Sequence, residues 1–213
     1  MNPNVWGPTC WKLMFSAAFK LPPPRVVAML LAHKHLLPCV HCRKSFCMYL
    51  DALPPSLGID ASSPESAAKF VWAMKDKVNS KIGQRALPFS QLCMKYKAFA
   101  QPFSRMDVVD LLCCMALQVE ADEQVAAYVQ LVGVYDELLR AHGERLALGP
   151  VEASYRSPPT LWLHALKCKN ALCTELGLPT LTREEALGIY RPPEPEPAAS
   201  SSRASRSRRS HRR

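Results

Sequence analysis

Long apolar runs are missing from this sequence. The stretch VVAMLLA at 26–32 has seven residues, far fewer than the ~20 that a membrane-spanning helix needs, so no membrane span is expected. The opening MNPNVWGPTCW has no basic segment followed by an apolar one, and no secretory signal peptide is expected. Period-2 alternation of apolar and polar residues is scarce, which argues against a sheet. No internal repeat is visible. These absences point to a soluble, cytoplasmic protein.

What is present is apolar enough for a sizeable core: 48% of the 213 residues are hydrophobic. The net charge of +9 is unevenly spread. Residues 191–213 carry seven arginines against Glu194 and Glu196, a net +5. This tail is rich in proline, serine and arginine and has no apolar anchor larger than alanine, so it reads as a disordered basic tail. Its charge suits contact with nucleic acid or an acidic partner surface, or simply keeps the chain in solution. Nine cysteines are many for a cytoplasmic chain. Without a secretory signal they point to redox work, metal binding or buried thiols, rather than to a secreted disulfide framework.

Helical periodicity recurs along the chain, and an all-α fold is expected. Trp11, Met14, Phe15, Ala18 and Phe19 form one apolar helical stripe. LPPP at 21–24 ends that helix. Residues 25–37 and 39–52 read as the next two helices, the latter stopped by Pro54 and Pro55. A fourth starts at SSPES, with Ser63 as cap and Pro64 in the first turn, and stops at Gly83. Four helices with short connections predict a four-helix bundle over 1–95. Further helices are expected at 105–119, 122–141 and 160–176. A short last one is capped by Thr182. Together they make an additional C-terminal helical region over 100–190, with GPVEASYRSPP as a linker inside it.

The stretch PCVHCRKSF at 38–46 carries the one CxxC. A structural zinc site usually takes two such pairs. Here only His33, His35, His41 and the distant Cys168 and Cys173 could complete one, without matched spacing. A thioredoxin-like site needs a preceding strand and a βαβ surround, and neither is visible. A redox pair at a helix start fits better. Helix N-termini stabilise thiolate, and Arg43 and Lys44 add positive charge, so a lowered thiol pKa is expected there. Thiols alone pass electrons to oxygen slowly, so a partner cofactor is needed. Trp6, Trp11, Phe15, Phe46, Tyr49 and Trp72 could supply flat-ring contacts, or simply bundle core.

Three segments together resemble the Erv/ALR family of FAD-linked sulfhydryl oxidases. VWGPTCW is similar to the family's opening W-G-P-x-x-W. LPCVHCRKSFCMYL is similar to P-C-x-x-C-R-x-H-F-x-x-Y-L. FVWAMKDKVNSKIGQ is similar to W-x-x-x-x-H-N-x-V-N-x-x-L-G-K. The resemblance spans about residues 4–90 and implies a four-helix bundle holding FAD, usually as a homodimer. It implies that Cys39 and Cys42 are the catalytic pair, with Cys39 as the outer sulfur and Cys42 against the flavin. Protein thiols are then oxidised to disulfides and O2 is reduced to H2O2. Gly7, Trp11, Phe15, Tyr49, Trp72, Lys75, Asp76, Val78, Asn79 and Gly83 are the implied FAD-contacting positions, and no metal is implied. Cellular members carry a second, shuttle disulfide, for which Cys168 and Cys173 are the candidates. Large DNA viruses encode enzymes of this type, which makes a viral, host-cytoplasm or virion protein an expectation too.

The sequence also departs from the family pattern. Phe15 and Ser45 stand where the family has histidines, Lys75 and Asp76 replace a His-Asn pair, and Gln84 replaces a lysine. Trp72 and Phe89 occupy the positions of the cysteines that staple two helices in cellular enzymes. The histidine losses motivate an alternative: a non-catalytic helical bundle derived from this family, serving as a virion or partner-binding protein.

Overall fold

A computed structural model describes residues 3–53, 64–98, 103–146, 151 and 153–191. The expected cap Ser63, the stop at Pro54 and Pro55, and the tail beyond Arg191 lie outside the described residues. Among those residues the fold is all-α, with no strand. The helices are α1 Pro3–Lys20, α2 Pro23–Leu36, α3 Val40–Ala52, α4 Pro64–Lys81, α5 Phe89–Ala98, α6 Arg105–Ala116, α7 Asp122–Arg140, α8 Pro158–Glu175 and α9 Arg183–Tyr190. A 3-10 turn, Ala153–Tyr155, sits within the expected linker.

Local chemistry accounts for most boundaries. Pro23 opens α2, where its missing N–H is not needed. Gly83 adopts φ +69°, and the Gln84 N–H reaches the Asn79 carbonyl at 2.9 Å, closing α4 as expected. Gly143, at φ +79°, does the same after α7. Ser104 with Asp107, and Thr182 with Glu185, form capping boxes on α6 and α9. Helix α5 is an addition to the sequence reading. Phe89, Leu92 and Tyr96 recur at helical spacing, but the segment is only 10 residues long, too short to form without support. Docking supplies that support: Leu92 and Tyr96 are buried, and the Tyr96 ring meets Phe15 of α1 at 5.0 Å.

In the N-terminal half α1 packs on α2 and α4, α2 on α3, α3 on α4, and α5 against α1. In the C-terminal half α6 packs on α7 and α8. The halves meet where α2 lies along α7 and α1 along α6. One contiguous apolar cluster runs through both. This second contact explains why α1 buries more than the expected stripe. Leu13 and Ala17 are fully buried beside Met14, Phe15 and Ala18, whereas Trp11 and Phe19 remain half-buried.

Candidate active site

Cys39 takes the N-cap position of α3. Its backbone is extended (φ −141°, ψ 119°), and its Sγ accepts the Cys42 backbone N–H at 3.2 Å. The thiol thus does the work usually given to a serine or aspartate at a helix start. Both cysteines are half-buried, while Val40 and His41 between them are exposed. Arg43 turns away and donates to the Leu37 carbonyl at 2.8 Å.

The expected lowering of thiol pKa is reversed at Cys42. Burial first, and then the hydrogen bond and charge of Cys39, push this thiol up to about 12. The cationic side chain that opposes the rise is Lys81 of α4, rather than Arg43 or Lys44. The Lys81 Nζ donates to Ser45 Oγ at 2.7 Å. By the sequence resemblance Ser45 stands where Erv/ALR enzymes have a histidine; here a Lys–Ser pair ties α3 to α4 at that point.

Across the bundle, Cys10 of α1 interacts electrostatically with both Cys42 and Lys75, and burial raises its own thiol. The Lys75 Nζ stands 4.9 Å from the Trp11 ring centre, a cation–π arrangement. Burial lowers the Lys75 pKa, and among the described residues no carboxylate pairs with it. The rings continue from Trp11 to Phe15 at 6.3 Å and on to Tyr96 at 5.0 Å. The fold therefore gathers Cys42, Trp11, Phe15 and Lys75 from three helices. It adds Cys10, Lys81 and Tyr96, which motif matching did not single out. The Phe89–Leu92–Tyr96 spacing was the available signal for Tyr96.

The other candidates sit as follows. Gly7 lies in the first turns of α1, with open space where a Cβ would go. Tyr49 is half-buried on α3, seven residues beyond Cys42 and on the same face. Asp76 and Val78 are half-buried on α4, Asn79 is buried, and Gly83 lies just past the helix end. Trp72 turns toward α5: its ring meets Phe89 at 6.0 Å and its Nε1 donates to Leu87.

Cys168 and Cys173 lie on one unbroken helix, α8, where five residues turn the chain about 140° beyond a full circle. Both are buried but face different surroundings. The Cys168 Sγ is 3.9 Å from the His164 ring nitrogens, and Cys173 lines a cleft. That cleft, about 750 Å³, lies between the start of α1 and α6, α8 and α9. A second, of about 510 Å³, lies among α2, α3 and α4 and is lined by Cys47, Leu50 and Phe70. Neither is lined by Cys39 or Cys42. Cys47, expected in the core, is only half-buried, whereas Cys10, Cys113 and Cys114 are buried thiols as expected. Among the described residues no group of three or more His, Cys, Asp or Glu could hold a metal ion. No helix there is long and apolar enough to cross a membrane.

A family model described as Erv1 / Alr family matches residues 8–98, a span that takes in the cluster around Cys42 and ends with α5. No curated protein and no solved structure matches the chain.

Proposed function

We propose that this protein is an FAD-linked sulfhydryl oxidase of the Erv/ALR type that forms disulfides in protein thiols. The observation that carries the reading is the gathering of a capped thiol pair, three aromatic rings and one uncompensated cation at the family-matched end of the bundle. Lys75 supplies the test of fit. A half-buried cation over an indole, with no carboxylate partner among the described residues, suits the diphosphate of a dinucleotide. The half-buried Trp11 offers a face for a flat ring, and the buried Phe15 and Tyr96 rings back it. FAD is therefore assigned to Trp11, Tyr49, Lys75 and Asn79, with Phe15 behind Trp11. When bound, it supplies a two-electron acceptor for reduced thiols and an outlet to O2.

The chain's own residues perform the thiol chemistry. A client thiolate attacks Cys39, the outer sulfur, and the Cys39–Cys42 bond breaks, releasing Cys42 as the leaving sulfur. A second client thiol then attacks the mixed disulfide. The client leaves oxidised and Cys39 leaves reduced, so two electrons and two protons pass to the pair. Exposure of Val40 and His41 leaves the approach to Cys39 open. Lys81, by opposing the rise at Cys42, favours its departure as thiolate.

An absorption spectrum from 300 to 700 nm of the purified protein, with thiol-dependent oxygen uptake, tests the reading. Flavin bands and peroxide formation are the expected result. A colourless, inactive protein favours the second reading, a non-catalytic partner-binding bundle. Two observations speak for that reading: Phe15 fills a histidine position with a fully buried ring, and neither cleft borders the thiol pair. The homodimer implied by the resemblance is checked by sedimentation. In this chain α2 already packs along α7 of the same molecule. A viral origin and a cytoplasmic or virion setting belong to the same proposal.

A further inference from the structure

The C-terminal half reaches the thiol pair through one buried relay. Tyr135 of α7 is fully buried. Its hydroxyl lies 2.9 Å from His33 Nε2 on α2. The other ring nitrogen, Nδ1, lies 2.7 Å from the Met29 carbonyl. A carbonyl only accepts, so Nδ1 carries the proton and Nε2 accepts from the Tyr135 hydroxyl. This leaves the neutral imidazole with both nitrogens satisfied and its plane held. The His33 ring then stands 6.5 Å from the ring of Phe46. Phe46 is buried on α3, one turn after Cys42 and on the same face.

Two further ties fix α2 against α7 around this relay. The Arg25 guanidinium grips Glu137 through two hydrogen bonds of 2.6 and 2.5 Å. The Gln124 amide donates to the His35 carbonyl at 3.0 Å. On its other side α2 carries α3, through Phe46 and through Arg43 on the Leu37 carbonyl. The helix that begins at the CxxC thus rests on α2, and α2 is held by α7.

We propose that Tyr135 is a positioning residue for the Cys39–Cys42 pair, acting through His33 and Phe46, so that the C-terminal half sets the redox poise of the thiol site. The proposal rests on the assignment of those cysteines as the redox pair. The Tyr135→Phe change keeps the ring and removes the hydroxyl, leaving Nε2 of His33 without its donor. The imidazole then keeps only its bond to the Met29 carbonyl, one of its two anchors, and its ring plane against Phe46 is less tightly set. The geometry of Cys42 relative to the Cys39 sulfur shifts with it. Packing in cores is discrete enough to pass such changes between neighbours.

The test equilibrates the full-length chain with reduced and oxidised glutathione under argon. Two glutathione thiols reduce the Cys39–Cys42 disulfide and leave as one oxidised glutathione, so electrons and protons balance. The reaction needs neither flavin nor O2, so it reads out even where oxidase activity is absent. The expected result for Tyr135→Phe is a change of about three- to tenfold in the equilibrium constant, tenfold being about 30 mV for this two-electron couple. Alkylation rates at Cys39 and Cys42 in the reduced protein change with it, while buried Cys10, Cys113 and Cys168 stay protected. Equal constants and equal rates in variant and parent overturn the proposal. General exposure of the buried thiols, a purely structural effect, also overturns it. Phe46→Leu supplies the second measurement. In that background Tyr135→Phe is expected to add little, and full additivity overturns the route through Phe46.

Discussion

Trp72 and Phe89 meet edge to face, with ring centres 6.0 Å apart and planes at 66°. The indole Nε1 of Trp72 donates to the Leu87 carbonyl at 2.8 Å, and Lys69 stands 5.8 Å from the Phe89 ring centre. By the sequence resemblance, these are the positions of the cysteines that staple two helices in cellular Erv/ALR enzymes. Here α4 meets the start of α5 through aromatic packing, and one hydrogen bond ties it to Leu87 just before α5.

That substitution of forces has a measurable consequence. Trp72→Ala is expected to destabilise the fold by about 2 kcal/mol, below the range for a fully buried tryptophan because this one is half-exposed. Trp72→Phe, which keeps a ring and loses the donor, is expected to cost about 1 kcal/mol. Urea unfolding measures both. Reductant should leave the α4–α5 contact intact, since no sulfur bond holds it.

Cys39 has two roles that serine can separate. Cys39→Ser is expected to keep or improve the helix cap, because a hydroxyl accepts the Cys42 N–H well, and to abolish thiol oxidation. Cys42→Ala is expected to abolish turnover with the fold largely intact. Circular dichroism with oxygen uptake checks the pair. Retained oxygen consumption in Cys42→Ala contradicts its assigned role.

His33 predicts acid sensitivity. Burial lowers its pKa from 6.5 to about 4. The unfolded chain therefore binds the proton more readily than the folded one. Stability from this group is fully present above pH 6.5 and is lost as pH falls toward 4, by about 3 kcal/mol in all. His33→Gln should flatten that part of the stability–pH curve. Denaturant midpoints between pH 7 and 4 measure it, and parallel curves for variant and parent count against it.

Lys81 predicts the pH dependence of the thiol site. With the Cys42 thiol pushed up to about 12, its alkylation in the reduced protein should rise steadily between pH 7 and 10 without levelling off. Lys81→Met removes the opposing cation and the bond to Ser45. It should slow Cys42 alkylation by roughly threefold. An unchanged rate shows that solvent screens the lysine completely.

Much of this molecule is legible along the chain. The helix starts at Pro23, Ser104 and Thr182 and the stops at Gly83 and Gly143 depend on local backbone chemistry, which neighbouring residues carry. Helix α5 was not legible. Ten residues of modest propensity become helical only when Leu92 and Tyr96 find α1. The motifs likewise brought Trp11, Phe15 and Lys75 to notice, but not Tyr96, Cys10 or Lys81, which join the cluster only because four helices converge. Arg43 and Lys44 drew attention by adjacency, yet the cationic side chain that acts on Cys42 comes from the far end of α4.

The sequence by itself determined the helical class, most helix ends, and the placing of the CxxC at the head of α3, because periodicity, turn residues and CxxC spacing are short-range. Tertiary structure alone decided that the Cys42 thiol is raised rather than lowered. It also decided that the Trp72 and Phe89 rings meet edge to face, and that α7 backs the helix beneath the CxxC. Burial, ring contact and charge reach act through space between residues far apart in the chain, and no local pattern encodes those distances.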